Sequence, residues 1–326
     1  MLIFSGDTGT VFAPFSGNKN SQGEFVMVQL KIFRISIYHF LFSLDFIKLL
    51  NRFRSNLHLY SIIIIGFICC IPDVKGAFDK KEVGASSFAL GNAVVAIDQY
   101  LFALYYNPAA LSTEGKFQTA FSIQNYFGIG DLNAIDIMIN FSLFKHPFSF
   151  AINRFGNRYY QEIQLTAASR YELFEKCSIG FSVQYYLLSI QNHGQSLSWG
   201  VNISALYNLT PNVSIGALVT NLNQPVISST LEKIPQTMSL GFCYNPVSDL
   251  EFSFEVFQDI RFDQEYRAGV SYQVIPLLKL RAGIEDQLNV YSYGFGINMA
   301  WMIFDYGLRN HPVLGISHIV TLSILL

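Results

Sequence analysis

The sequence predicts an all-β transmembrane β-barrel of about fourteen antiparallel strands. Three observations lead to this prediction. The chain has 326 residues, of which 15% are aromatic and only 13% are charged, whereas soluble domains carry roughly a quarter charged residues. From residue 117 onward, apolar residues alternate with small or polar ones, as they do in strands. Upstream of that region lies a short apolar run of the kind that directs export.

Residues 1–76 are interpreted as a mis-assigned start followed by a signal peptide. The apolar run at 59–72 follows the basic residues Arg52 and Arg54 and precedes a short stretch that ends at Gly76. At ~14 residues the run is shorter than the ~20 that a membrane-spanning helix needs, so we expect cleavage near Gly76 rather than a single membrane anchor. The stretch before it is attributed to a start codon assigned too far upstream. A real N-terminal amphipathic or membrane helix is the alternative.

We assign residues 114–326, which contain this alternation, to the barrel. Ile179, Phe181 and Val183, for example, are separated by Gly and Ser. Proline falls almost wholly between such segments, because it cannot donate to a β-ladder. The longest predicted connection, 222–235, is expected to be the one loop able to reach into or over the pore. The predicted strands are 117–126, 133–143, 147–155, 159–171, 176–190, 196–208, 212–221, 236–245, 249–258, 264–273, 277–285, 289–299, 300–307 and 314–325.

The polar face of these strands decides between a soluble barrel and a membrane barrel. That face consists mainly of Ser, Gly, Asn, Gln and Thr, which is too little charge for a surface in contact with water on every strand. In a membrane barrel the apolar face contacts lipid and the polar face lines the lumen, and closure leaves no unpaired edge. We therefore predict a protein of the bacterial outer membrane. The net charge of −2 argues against a nucleic-acid partner.

The stretch 84–111 does not share this alternation. Taken alone, it predicts a short strand, a turn at Gly91 and a helix that ends at Asn107, because a residue before proline disfavours helix. Its motifs nevertheless resemble the start of FadL-like barrels, and especially of the PorV/PorQ group associated with type IX secretion. That group typically has Gly at the position of Ala110, and its C-terminus resembles residues 305–318. The matching residues are Gly84, Ala85, Leu90, Gly91, Asn107, Pro108, Ala109 and Leu111.

The resemblance implies a fourteen-stranded barrel whose N-terminal segment, residues 77–113, folds into the lumen as a plug. It also implies a role in protein secretion or in the surface handling of cargo, so that the partners would be secretion components or cargo proteins as well as outer-membrane lipid. The alternative within the same superfamily is a transporter of hydrophobic small molecules, in which the plug moves to let an apolar ligand pass. A plug that is structural and has no gating role is equally compatible with the motifs.

Six charged residues share the inward parity on three consecutive predicted strands. A basic residue at mid-depth on the lipid face costs about 2–4 kcal/mol, so we expect these side chains to face the lumen. They either hold the plug by salt bridges or form a polar constriction that recognises a ligand head group, and we expect Asn107 to Leu111 to pack beside them. This charged wall consists of Glu251, Glu255, Arg267, Lys279, Arg281 and Glu285.

A lipid-modifying enzyme of the outer membrane is a further alternative, which we do not favour. Such an enzyme would use a Ser–His pair, but Ser317 and His318 are consecutive and therefore point to opposite faces of a strand. The histidines at 146, 193 and 311 show no metal-ligand spacing. No catalytic residue, metal or cofactor is predicted.

Overall fold

The computed structural model describes residues 76–79, 82–112, 117–144, 146–227, 232–286 and 289–326. The predicted signal peptide, the alternative N-terminal helix and the proposed late start codon lie outside the described residues. Of the helices in the described ranges, none has both the length and the hydropathy that a membrane-crossing helix requires.

Fourteen strands form a closed antiparallel barrel, which confirms the predicted fold class. The described residues contain the strands β1 Gln118–Asn125, β2 Asn133–Leu143, β3 His146–Gly156, β4 Tyr160–Phe174, β5 Cys177–Ile190, β6 Gly194–Thr210, β7 Val213–Val219, β8 Val226–Ile227, β9 Glu232–Lys233, β10 Thr237–Val247, β11 Leu250–Asp259, β12 Glu265–Ile275, β13 Leu278–Glu285, β14 Val290–Asn298, β15 Met302–His311 and β16 Gly315–Leu325. β1 closes the barrel against β16, with Gln118 opposite Leu325. β7 pairs directly with β10, because β8 and β9 form a separate hairpin between them.

The predicted strands differ from the observed ones at their ends. β15 continues to His311, beyond the predicted end at 307, because its ladder with β16 extends to Gly315. β6 begins before the predicted residue 196, because Ile190 pairs with Gly194 across a tight turn. The predicted long connection contains the small hairpin of β8 and β9, which lies outside the barrel ladder.

The apolar face of the barrel lies outside and the polar face lies inside. Along β1, Phe121 and Ile123 are 41% and 47% exposed, whereas Ser122 and Gln124 are 3% and 2% exposed. The same alternation recurs on the other long strands. An apolar exterior around a polar interior is the arrangement of a barrel in contact with lipid.

The two ends of the barrel differ in the length of their connections. At the end where the chain enters β1, turns of two or three residues join the strands, as at 211–212 and 248–249. The opposite end has the longer connections, including 126–132 and 220–236. We call these the short-turn end and the long-loop end.

Residues 77–79 and 82–112, the described part of the predicted plug and together called the plug, run through the lumen from the long-loop end to the short-turn end. Ala77 lies beside Glu232 at the long-loop end. Ala109 contacts Ser178 at the start of β5, next to a short turn.

The plug contains three short helical segments. They are α1 (Ala85–Ala89), α2 (Ala103–Tyr106) and a 3-10 turn at Pro108–Ala110. The first part of the stretch is therefore a helix, not the expected strand. Helices of this length are unstable in isolation, so their conformation depends on burial inside the barrel. The turn at Gly91 (φ 60°) and the end of α2 before Asn107 agree with the sequence.

Candidate functional site

The lumen is occupied by the plug, which hydrogen-bonds to strands on opposite sides of the barrel. The backbone N–H of Ala85 donates to Oγ1 of Thr321 on β16, at 2.9 Å. Oγ of Ser214 on β7 donates to the carbonyl oxygen of Ala96, at 2.6 Å. Because the plug binds several strands at once, its removal would leave many inward polar groups without partners. The interior of the barrel is thus the candidate site.

The charged wall contacts the middle of the plug. The N–H of Val95 donates to Oε2 of Glu255 at 3.1 Å, and Nδ2 of Asn92 donates to Oε1 of Glu285 at 3.2 Å. Both carboxylates are buried. A buried carboxylate needs hydrogen bonds or a cation to offset its loss of hydration, and the plug supplies some of these hydrogen bonds.

Arginine side chains supply the cations of the wall. Arg267 lies opposite both Glu255 and Glu285 in the ladders of its two neighbours. Its Nη1 lies 3.1 Å from Glu255, and its Nε lies 2.6 Å from Glu265. Arg309 on β15 approaches Glu285 to 2.7 Å. Glutamate on β11, arginine on β12, glutamate on β13 and arginine on β15 therefore alternate around the barrel. Their opposite charges offset one another in the buried interior.

The other predicted members of the wall lie closer to the short-turn end. Glu251 and Lys279 are half-buried. Arg281 forms an ion pair with Asp305 on β15, at 2.6 Å. The guanidinium of Arg309 also donates to Glu82 of the plug, which fixes the plug to the wall by charge.

The sequence-based wall omits several charged partners. Glu265 and Asp305 have inward parity on predicted strands, so parity alone could have identified them. Arg309 lies beyond the predicted end of its strand. Glu82 belongs to the plug, where there is no periodicity that assigns an orientation.

The expected position of the Asn107–Leu111 motif is wrong. The motif packs against β4, β5 and β6, not against the charged wall. The N–H of Ala109 donates to Oγ of Ser204 at 2.9 Å, and Oγ of Ser178 donates to the carbonyl oxygen of Ala109 at 2.9 Å. The plug contacts the charged wall through its earlier part, at Asn92 and Val95.

Asn107 shapes this part of the plug. Its side-chain oxygen accepts from the N–H of Ala109 at 3.0 Å and caps the 3-10 turn. Its Nδ2 donates to the carbonyl oxygens of Val95 and Ala205, at 2.6 and 3.2 Å. One buried side chain thus joins two segments of the plug to β6. Pro108 provides the first residue of the turn, where no backbone donor is required.

Glycines that face the lumen let the plug approach the barrel strands closely. A Cβ added to Gly180 would lie 2.1 Å from the nitrogen of Ala109, and one added to Gly283 would lie 2.2 Å from the nitrogen of Gly91. Contacts this short do not occur, so a larger residue at either site would force the plug backbone to shift. Added Cβ atoms would also meet plug atoms at Gly216, Gly241, Gly269, Gly294 and Gly307.

A second ion pair lies near the short-turn end. Nη1 of Arg170 on β4 lies 2.9 Å from Oδ1 of Asp98 and donates to the carbonyl oxygen of Leu111 at 3.1 Å. Oδ2 of Asp98 accepts from Nδ2 of Asn208 on β6 at 2.8 Å. This cluster fixes the last turn of the plug just before the chain enters the barrel wall.

Three tyrosines of the plug use their hydroxyl groups inside the lumen. Tyr105 donates to Asp136 on β2, and the hydroxyl of Tyr106 donates to the carbonyl oxygen of Val83 at 3.1 Å. The hydroxyl of Tyr100 shares a hydrogen bond with Oγ of Ser86, at 2.9 Å.

An apolar cluster lies at the long-loop end of the lumen. The ring of Phe78 packs against Tyr186 with centroids 4.8 Å apart. Leu188 on β5 belongs to the same buried cluster, as do Ile227 and Ile234 of the connection between β7 and β10. The beginning of the plug thus fills an apolar space that is covered by the small hairpin.

The geometry at 317–318 does not assemble a hydrolytic pair. Ser317 is buried on the lumen side, whereas His318 is exposed and hydrogen-bonds through Nδ1 to Tyr306 at 2.7 Å. Within the described ranges, no group of three or more His, Cys, Asp or Glu side chains could hold a metal ion.

These features define a class of protein, the transmembrane β-barrel whose lumen is occupied by its own N-terminal segment. A scan against protein-family models gives no match, and a search of curated protein sequences gives none either.

Solved structures do resemble the chain in fold. They include a CymD monoaromatic hydrocarbon channel, with 15% identity and a TM-score of 0.53 over 76% of this chain and 98% of that one. The Pseudomonas putida toluene transporter TodX has 13% identity and a TM-score of 0.52 over 77% and 98%. A Pseudomonas aeruginosa FadL homologue has 11% identity and a TM-score of 0.54 over 77% and 99%. At these identities the likeness lies in the fold, which is FadL-like; none of the three is described as a PorV/PorQ protein.

Proposed function

We propose that this protein is an outer-membrane channel for hydrophobic small molecules, closed by its own N-terminal segment. The observation that carries the proposal is the apolar cluster at the long-loop end, which Phe78 fills. An apolar solute could replace Phe78 there, because the surrounding side chains offer the same kind of contact. The hydrocarbon channel and the toluene transporter named above have the same fold, which supports this choice over secretion.

The proposed orientation follows from the lengths of the connections. Outer-membrane barrels have short turns toward the periplasm and longer loops outside the cell. The apolar cluster would therefore face the outside, and the Asn107–Leu111 motif would face the periplasm. In this proposal, residues 1–76 are a mis-assigned start followed by a signal peptide that is removed near Gly76, residues 77–113 form the plug and residues 114–326 form the barrel.

Passage requires the plug to move, because its backbone touches inward glycines around the lumen. The two ends of the plug are held differently. The outer end is held by the Phe78 contacts, a few hydrogen bonds and the partly exposed ion pair of Asp79 with Arg261, whereas the part that follows is held by the buried ion pair of Glu82 with Arg309. We therefore expect a ligand to displace the outer end first.

Uptake of radiolabelled toluene and oleate by cells tests this proposal. Cells that express the protein should take up at least one of these solutes faster than cells with an empty vector. Phe78→Ala should raise the rate further, because it removes the ring that occupies the cluster. Phe174→Ala is the matched control, because Phe174 is 75% exposed and lies at the short-turn end. Uptake equal to that of the empty vector for both solutes would contradict the proposal.

The secretion role implied by the motifs is the competing account. It rests on the resemblance of 84–111 and of the C-terminal end to the PorV/PorQ group. Deletion of the gene from its native host separates the two accounts. Loss of surface-attached cargo with unchanged solute uptake would favour secretion, and the reverse pattern would favour transport.

A further inference from the structure

The first residues of the plug meet acidic side chains at the long-loop end. The backbone nitrogen of Ala77 donates to Oε1 of Glu232 at 2.9 Å. The next nitrogen, that of Phe78, donates to Oε1 of Glu162 at 3.0 Å. Two consecutive backbone N–H groups thus each donate to a carboxylate. An uncharged stretch of backbone therefore lies in a negatively charged environment.

The following residue is held by charge as well. Asp79 forms an ion pair with Arg261 in the loop after β11, at 2.7 Å. Arg261 also binds Asp259, whose hydrogen bond raises the pKa of Arg261 and keeps it cationic. Residues 77–79 are therefore fixed from three sides, and Ala77 itself is buried.

Glu232 differs from Asp79 and Asp259 in its surroundings. Asp79 and Asp259 are paired with Arg261. Among the described residues, no Lys, Arg or His side chain is within ion-pair distance of Glu232, which lies on β9 of the small hairpin. Within the part of the chain that the structure describes, this half-buried carboxylate receives one amide N–H and no cation, and an amino group at Ala77 would provide a cation at hydrogen-bond distance.

We propose that Glu232 is the binding site for the free α-amino group of Ala77 in the processed protein. A leader peptidase would hydrolyse the peptide bond between Gly76 and Ala77 with one water molecule. This leaves a carboxylate on Gly76 and an amino group on Ala77. Because α-amino groups have a pKa of about 7.7–8.0, the new terminus is largely an ammonium at neutral pH. The single N–H bond to Glu232 then becomes a charge-assisted one.

The departure of Gly76 also removes a crowded contact. A Cβ added at Gly76 would lie 2.1 Å from Oε1 of Glu232, so the carboxylate lies directly beside the residue that the peptidase would remove. After cleavage that space is available to the additional N–H groups of the ammonium. Processing would thereby fasten the outer end of the plug, and Phe78 with it, to the hairpin that covers the apolar cluster. This ion pair between Ala77 and Glu232 does not depend on which solute passes through the barrel.

The test is chemical labelling of the mature protein, expressed with its own leader and purified from membranes. Intact-mass and N-terminal peptide analysis should find Ala77 as the first residue; a different first residue would overturn the proposal. An amine-reactive acetylating reagent at pH 7 should then modify the Ala77 amine roughly fivefold more slowly in the wild type than in Glu232→Gln, as expected for a modest ion pair. Asp131→Asn, an exposed charge removal at the same end, should label like the wild type.

A second measurement keeps the proposal testable if Glu232→Gln fails to fold, which heat-modifiable migration on gels would reveal. In the wild type, 1 M NaCl should raise the labelling rate of Ala77, because salt screens a partly exposed ion pair. Equal labelling of wild type and Glu232→Gln, or labelling of the wild type that is unaffected by salt, would overturn the assignment. Failure of solute uptake would not alter either labelling result. The Ala77–Glu232 ion pair and the transport proposal are therefore tested separately.

Discussion

Replacing Gly283 by alanine tests the contact between plug and wall. Gly283 faces the lumen on β13, and an added Cβ would lie 2.2 Å from the nitrogen of Gly91 and 2.2 Å from the carbonyl carbon of Leu90. Both atoms belong to the plug backbone, so no side-chain rotation can relieve the overlap. The plug must move away from the wall instead. Overpacking of this kind costs about 1–3 kcal/mol, which corresponds to a shift of about 5- to 150-fold in a two-state equilibrium.

Single-channel recording in planar bilayers measures this shift. The wild type should conduct rarely, because the plug fills the lumen. Gly283→Ala should raise the open probability about 5- to 150-fold. The nearest atoms to the added Cβ are all in the plug, so the barrel should retain its heat-modifiable migration. Gly130→Ala is the control, because a Cβ there meets nothing within 4 Å. An unchanged open probability in a folded Gly283→Ala protein would refute the tight packing of plug against wall.

Two further substitutions probe the anchors of the plug. Asn107→Ala should raise hydrogen–deuterium exchange around Val95, because it removes the 2.6 Å bond to that carbonyl and leaves buried groups unpaired at a cost of about 1–3 kcal/mol; unchanged exchange would count against this role. Arg309→Met should lower the urea midpoint of unfolding, because it leaves Glu285 buried without its 2.7 Å partner, a loss of about 3–5 kcal/mol. The exposed Arg158→Met is the control for it, and equal midpoints would argue that the ion pair contributes nothing.

The strands could be predicted because a two-residue period fixes both secondary structure and orientation. Once the apolar face was assigned to lipid, the inward orientation of Glu255, Arg267 and Glu285 followed from parity. The low charge of the polar face excluded a water-exposed exterior. These inferences need only local sequence, so the barrel could be predicted from the sequence alone.

The path of the plug could not be predicted in the same way. A segment without periodicity gives no indication of which strands it touches, and the Asn107–Leu111 motif was therefore expected beside the wrong strands. The contact between Arg309 and Glu82 joins residues 227 positions apart, which local patterns do not encode. Inward glycines such as Gly180 were visible as small residues on the polar face, but their meaning depends on the backbone of the plug that packs against them.

The most direct test of the account is to lock the plug inside the barrel. Ala85 and Thr321 are suitable positions for a cysteine pair, because the nitrogen of Ala85 lies 2.9 Å from Oγ1 of Thr321. Cys177 and Cys243, the free thiols among the described residues, would first be replaced by serine. We predict that oxidation of the pair stops uptake of labelled hydrophobic solute and that reduction restores it. Uptake that continues at full rate with the disulfide formed would contradict a channel opened by movement of its plug.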